Sequence, residues 1–81
     1  MTRNELDSLI GDNCEELKNR LHWIIGNHLD DIISSVSANR LEHDIKTEFR
    51  KFGIDIDVNC ETDNGIMYIS SNTPIKDLLG L

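Results

Sequence analysis

Asp55, Asp57 and Asn59 stand at alternate positions, like the opening of a calcium-binding loop. Such a loop places oxygen ligands at its first, third and fifth positions, a glycine at the sixth and a bidentate Glu at the twelfth. Here the sixth position is Cys60 and the twelfth is Ile66. The ligand ring does not close, and the intervening Ile56 and Val58 are strand formers. The better reading is a β-strand with an acidic solvent face.

The three histidines are His22, His28 and His43. His28 and Asp31, three residues on, lie about one helical turn apart, a spacing that suits a ligand pair, with Asp30 as the other carboxylate nearby. A zinc site needs three or four ligands, and no Cys-x-x-Cys or His-x-x-x-His pattern supplies them. His28 therefore reads as a boundary histidine on the edge of an apolar stripe, with one ring nitrogen kept in water. Cys14 is near a helix start, where a thiol pKa falls, but its place on the apolar stripe makes it a small buried residue. The serines at 8, 34, 35, 37, 70 and 71 sit in no glycine-flanked nucleophile elbow. Asp30 and Asp31 diverge by about 100° on a helix and do not form a carboxylate pair. No glycine-rich phosphate loop is present, and 81 residues leave little room for a deep pocket. The expectation is a protein without catalytic residues, cofactor or metal.

Binding is the remaining chemistry. Trp23 projects about 180° away from the apolar stripe of its helix, among Glu16, Asn19, Arg20, Asn27 and Asp30. A tryptophan on a polar helix face is typical of contact hot spots unless another element of the chain covers it. Tyr68 beside Ile66 is a second aromatic anchor. With the acids Asp55, Asp57, Glu61 and Asp63, Trp23 and Tyr68 make the candidate partner-binding set.

Charge narrows the partner. The chain carries a net charge of −7, and residues 53–72 hold four acids and no base. Nucleic-acid affinity comes largely from phosphate neutralisation, so direct DNA or RNA binding is not expected. A basic protein surface is the complementary partner. The acids repel one another meanwhile, so neutralising Asp55, Asp57 and Glu61 is expected to raise stability. No apolar run is long enough to span a membrane, and no N-terminal apolar segment reads as a signal peptide. The expected location is the cytoplasm, with Cys14 and Cys60 as free thiols.

These residues are positioned by elements that the pattern predicts over one domain, residues 1–81. The class is α+β: a short N-terminal helix, a long helix, a third helix, a β-hairpin and a short C-terminal helix. Thr2 and Glu5 form a capping box for the first helix, in which Leu6, Leu9 and Ile10 follow at helical spacing before Gly11 ends it. Asp12, with Glu15 three residues on, caps the long helix. Its stripe runs Cys14, Leu17, Leu21, Ile24, Ile25, Leu29, Ile32, Ile33 and Val36, in phase across Gly26-Asn27. Ser37 caps the third helix, with Ala38, Leu41, Ile45, Phe49 and Phe52 on one face, a Glu42–Lys46 pair, and Gly53 at the end. A strand from Ile54 then turns at Asn64-Gly65, pairing Asp63 with Ile66, Thr62 with Met67 and Cys60 with Ile69. Thr73 caps the last helix with Pro74 at its first position, docked by Ile75, Leu78, Leu79 and Leu81.

The function expected from this pattern is a small acidic, non-enzymatic protein-binding module. It regulates or inhibits a partner that is basic or binds nucleic acid. A structural subunit of a homo-oligomer is the second reading, since a domain this short gains stability from assembly. A metal or small-molecule sensor using His28, Asp31 and a cysteine is the third.

Overall fold

The computed structural model describes residues 1–29 and 34–81. Its elements are α1 (Arg3–Ile10), a 3-10 turn (Gly11–Asn13), α2 (Cys14–Leu29), α3 (Ser35–Arg50), β1 (Val58–Asp63), β2 (Ile66–Ser71) and α4 (Lys76–Leu79). The α+β class and the order of elements match the expectation.

The first helix starts as its sequence dictates. The Thr2 hydroxyl accepts the Glu5 N–H at 3.2 Å, and the Glu5 carboxylate accepts the Thr2 N–H at 3.4 Å. Each side chain satisfies a backbone donor that the helix start leaves unpaired. Leu6 and Ile10 are buried, while Leu9 turns out to solvent. Gly11 takes φ +60° and breaks the helix. Asp12 then lies in the 3-10 turn instead of capping α2 directly.

Helix α2 runs unbroken through Gly26-Asn27 and buries Leu17, Leu21, Ile24 and Ile25. The stripe predicted one helix as far as Val36. The structure instead starts a new helix at Ser35, capped by Ser34 rather than Ser37. Ser34 is extended; its hydroxyl accepts the Ser37 N–H at 3.2 Å, and Ser37 Oγ accepts the Ser34 N–H at 2.8 Å. Ser37 is thus the third residue of the helix, closing a reciprocal cap, and Val36 in the first turn is exposed. Ile32 and Ile33 lie outside the described residues.

Helix α3 buries Ala38, Leu41, Ile45 and Phe49, with Phe52 half-buried. It stops where Gly53 takes φ +74°. There the Gly53 N–H donates to the Arg50 carbonyl at 2.9 Å and the Ile54 N–H to the Phe49 carbonyl at 3.1 Å. This pair of bonds satisfies carbonyls that the helix end exposes.

The hairpin has the predicted register, Asp63 opposite Ile66 through Val58 opposite Ser71. Asn64 at φ +52° and Gly65 at φ +77° supply the two left-handed residues of a type I′ turn. The ladder begins at Val58, not Ile54, because β2 ends opposite Val58. Alternation nevertheless extends back, with Ile54 and Ile56 buried and Asp55 and Asp57 exposed.

One core joins these elements. Helix α3 is central, packed against β1 on one side and α2 on the other, and α2 in turn holds α4. A two-stranded ribbon is not stable alone in water, and α3 supplies its cover. At the C-terminal end, α4 begins at Lys76 with Ile75 in the capping position and no side-chain cap. Thr73 does not cap it, because its hydroxyl bonds elsewhere. Ile75, Leu78 and Leu79 are buried as expected, but Leu81 lies beyond the left-handed Gly80 and is exposed. No helix among the described residues is long and apolar enough to cross a membrane.

Candidate protein-binding face

The outward face of the hairpin collects Asp55, Asp57, Asn59, Glu61 and Asp63 from the first arm and Ile66, Tyr68 and Ser70 from the second. Side chains alternate across a strand, so every second residue of each arm shares this face. The register puts Asp63 beside Ile66 and Glu61 beside Tyr68. Ile66 and Tyr68 are each 53% exposed, large for apolar side chains. Five of the six predicted contact residues therefore lie on one surface. The sixth, Trp23, is 65% exposed on α2, a separate element packed against α3 and α4.

The acids on this face are not equivalent. Asp57 Oδ2 accepts the Asn72 N–H at 2.9 Å, and Oδ1 accepts the Ser71 hydroxyl at 3.2 Å. The Thr73 hydroxyl lies 3.2 Å from both Asp57 Oδ1 and the Met1 carbonyl, so its single proton serves one of the two at a time. The Asn72 N–H, chiefly, holds the Asp57 carboxyl below the ordinary range, outweighing a slight desolvation. Asp57 is thus already an acceptor within the fold. Asp55 is not without a base either. Arg50 Nη2 stands 4.0 Å from Asp55 Oδ1, an exposed pair of small worth. Among the described residues Glu61 and Asp63 have neither an ion-pair nor a hydrogen-bond partner for their carboxylates.

Three further polar clusters, around Glu42, Glu48 and Arg3, tie the elements together. Glu42 Oε1 accepts the Cys60 N–H at 2.9 Å, so a helix carboxylate caps the edge of β1, while Oε2 lies 3.5 Å from Lys46. Burial, with the Glu42 charge added, pushes the Cys60 thiol up to about 11. Cys60 is an inert core thiol, and both cysteines are unbonded. Glu48, 6% exposed, is held by Lys51 at 2.9 Å and Arg20 at 3.3 Å. Burial works to raise its carboxyl, but the two cations more than offset that and lower it. Arg3 donates to Asp77 at 2.6 and 2.9 Å, to Asp7 at 2.8 Å and to the Pro74 carbonyl at 2.7 Å. The hydrogen bond from Arg3 lowers the Asp77 carboxyl, and Asp77 with Asp7 raises the guanidinium.

His28 departs from its expected boundary role. Its Nε2 lies 2.9 Å from Asp44 Oδ2, and Nδ1 is buried with no partner among the described residues. Asp30 and Asp31, the proposed metal companions, lie outside the described residues. Among those described, no group of three His, Cys, Asp or Glu side chains is placed to hold a metal ion.

Comparison with known proteins finds no family model, no curated protein and no solved structure that matches this chain. The functional reading rests on the residues above.

Proposed function

We propose that the protein is a non-enzymatic binding module that regulates or inhibits a partner with a basic surface, acting in the cytoplasm. One observation carries this reading: exposed Ile66 and Tyr68 stand in register with Asp63 and Glu61, whose carboxylates have no partner among the described residues. An apolar anchor bordered by unpaired charge is the composition of a recognition surface. The acids steer a basic partner in, and Tyr68 and Ile66 give up water on contact. Trp23 supplies a second contact on α2. A homo-oligomeric subunit is the alternative, favoured by the same exposed Trp23.

Capture from a native lysate tests the proposal. The immobilised chain is expected to retain a basic protein, whose association slows as salt rises. Replacing Glu61→Gln together with Asp63→Asn is expected to slow that association about tenfold at low salt. Equal association rates for parent and variant at low salt would remove the acidic face from the binding mechanism.

A further inference from the structure

The two edges of the hairpin differ in protection. In an antiparallel ladder, opposite residues alternate between pairs that exchange both backbone bonds and pairs whose N–H and C=O turn outward. The two-residue turn makes Asp63–Ile66 a bonded pair, followed by Glu61–Tyr68 and Asn59–Ser70. Cys60 and Thr62 on β1 therefore turn their backbone groups outward, as do Met67 and Ile69 on β2. The Cys60 N–H confirms this phase, since it meets Glu42 from outside the ladder. Helix α3 packs along β1. Among the described residues, nothing bonds the outward N–H groups of Met67 and Ile69.

Exposed edge strands are templates for further pairing, and proteins usually blunt them with charge, proline or a covering element. Strand β2 reads Ile-Met-Tyr-Ile-Ser-Ser, with no charge and no proline. Beside the last three residues of β2 lies a groove of about 350 Å³, lined by Ile69, Asn72, Thr73 and Pro74 and floored by the buried Ile75 and Leu79. No residue of β1 lines this groove, so it lies on the free side of β2.

We propose that β2 is a docking edge that takes an extended peptide of alternating apolar and basic residues as a third strand. This deepens the basic-partner reading and rests on it. Strand addition lets the peptide backbone satisfy Met67 and Ile69, while alternate side chains fall on opposite faces. One set rests in the groove. The other emerges beside Ile66 and Tyr68, about two strand spacings, or roughly 10 Å, from the Glu61 and Asp63 backbone. Lys and Arg side chains span much of that gap, and it is comparable to the screening length at physiological salt. Lys76 stands at the helix end of the groove, and its neighbour Asp77 is taken up by Arg3, so the bases belong toward the hairpin tip. A second copy of this chain is the poorer occupant, because it brings the same net charge of −7 and no base on its hairpin.

The test uses the full chain and a capped synthetic octapeptide of alternating Val and Lys, with a Val–Glu octapeptide as control. Amide hydrogen exchange is followed residue by residue by NMR. The Val–Lys peptide is expected to slow exchange at Met67 and Ile69 by about tenfold or more, because both amides acquire acceptors. Tyr68 and Ser70, already bonded to β1, are expected to change little. The Val–Glu peptide is expected to protect neither pair. Peptide binding that shifts the Ile66 and Tyr68 side chains yet leaves exchange at Met67 and Ile69 unchanged would overturn strand addition and leave the acidic-face reading standing. Absence of peptide binding at low salt would also overturn the inference, while lysate capture of a basic protein would keep the broader reading. Protection of Met67 and Ile69 that rises with protein concentration and without peptide would assign the edge to a second copy, against the proposal.

Discussion

At the base of the hairpin Asp57 faces the Asn72 N–H and the hydroxyls of Ser71 and Thr73. Near the tip, Glu61 and Asp63 face water. All three are acids on the same outward face of one arm, separated only by position along it. The difference comes from the segment that follows β2. Residues 71–73 turn back beside Asp57 and present donors to it, while among the described residues the tip has no such neighbour. A carboxylate on an exposed strand face is structural where a later segment brings donors to it, and available for recognition where none does.

Substitutions can break or sharpen this contrast. The largest effect is expected from Phe49→Ala, because Phe49 is fully buried in the core on which the whole hairpin rests. A loss of about 3–5 kcal/mol is expected, a large share of the stability of so small a domain. Thermal melting that matched the parent would show that the hairpin does not depend on this core.

Asp57→Asn separates the two ends directly. The neutral amide keeps one acceptor and loses the charge, at an expected cost of about 1.5 kcal/mol, the low end for bonds to a charged group because the site is exposed. Asp57 has its pKa lowered in the fold, so its stabilisation is present above the ordinary Asp value of about 4 and is lost as pH falls through the folded value. Asp77 and Glu48, also lowered, act in the same direction. Melting temperatures taken across acid pH should fall for the parent and fall less steeply for the variant.

The smallest effect is expected from Glu61→Gln with Asp63→Asn. Removing two unpaired like charges should leave stability unchanged or raise it by less than about 0.5 kcal/mol. A melting temperature lowered as much as by Asp57→Asn would erase the distinction between base and tip.

Local rules made most of the fold legible. The Thr2–Glu5 cap, the Gly53 stop and the Asn64-Gly65 register depend on residues a few positions apart, and all stand in the structure. The boundary between α2 and α3 was hidden because Val36 keeps the phase of the preceding stripe, while the Ser34–Ser37 cap that competes with it carries no apolar signal. Thr73 followed by Pro74 has the composition of a helix start, but a long-range claim on the Thr73 hydroxyl by Asp57 and Met1 overrides it. Glu48 had a readable signal. It sits seven residues after Leu41 and three after Ile45, inside the apolar stripe, where a carboxylate needs cations at hand. The outward face of the hairpin followed from alternation alone. The separate role of Asp57 did not, because its partners come from a segment some 15 residues away.

Arg3 reaches across 71 residues of chain to the Pro74 carbonyl and across 74 to Asp77. Helices and a tight hairpin form from near neighbours quickly, whereas a bond between such distant residues waits until the intervening chain is compact. The clasp is therefore expected to form late in folding and to open early in unfolding, lengthening the lifetime of the native state more than it speeds folding. In stopped-flow traces, Arg3→Ala should accelerate unfolding and leave the refolding rate nearly unchanged.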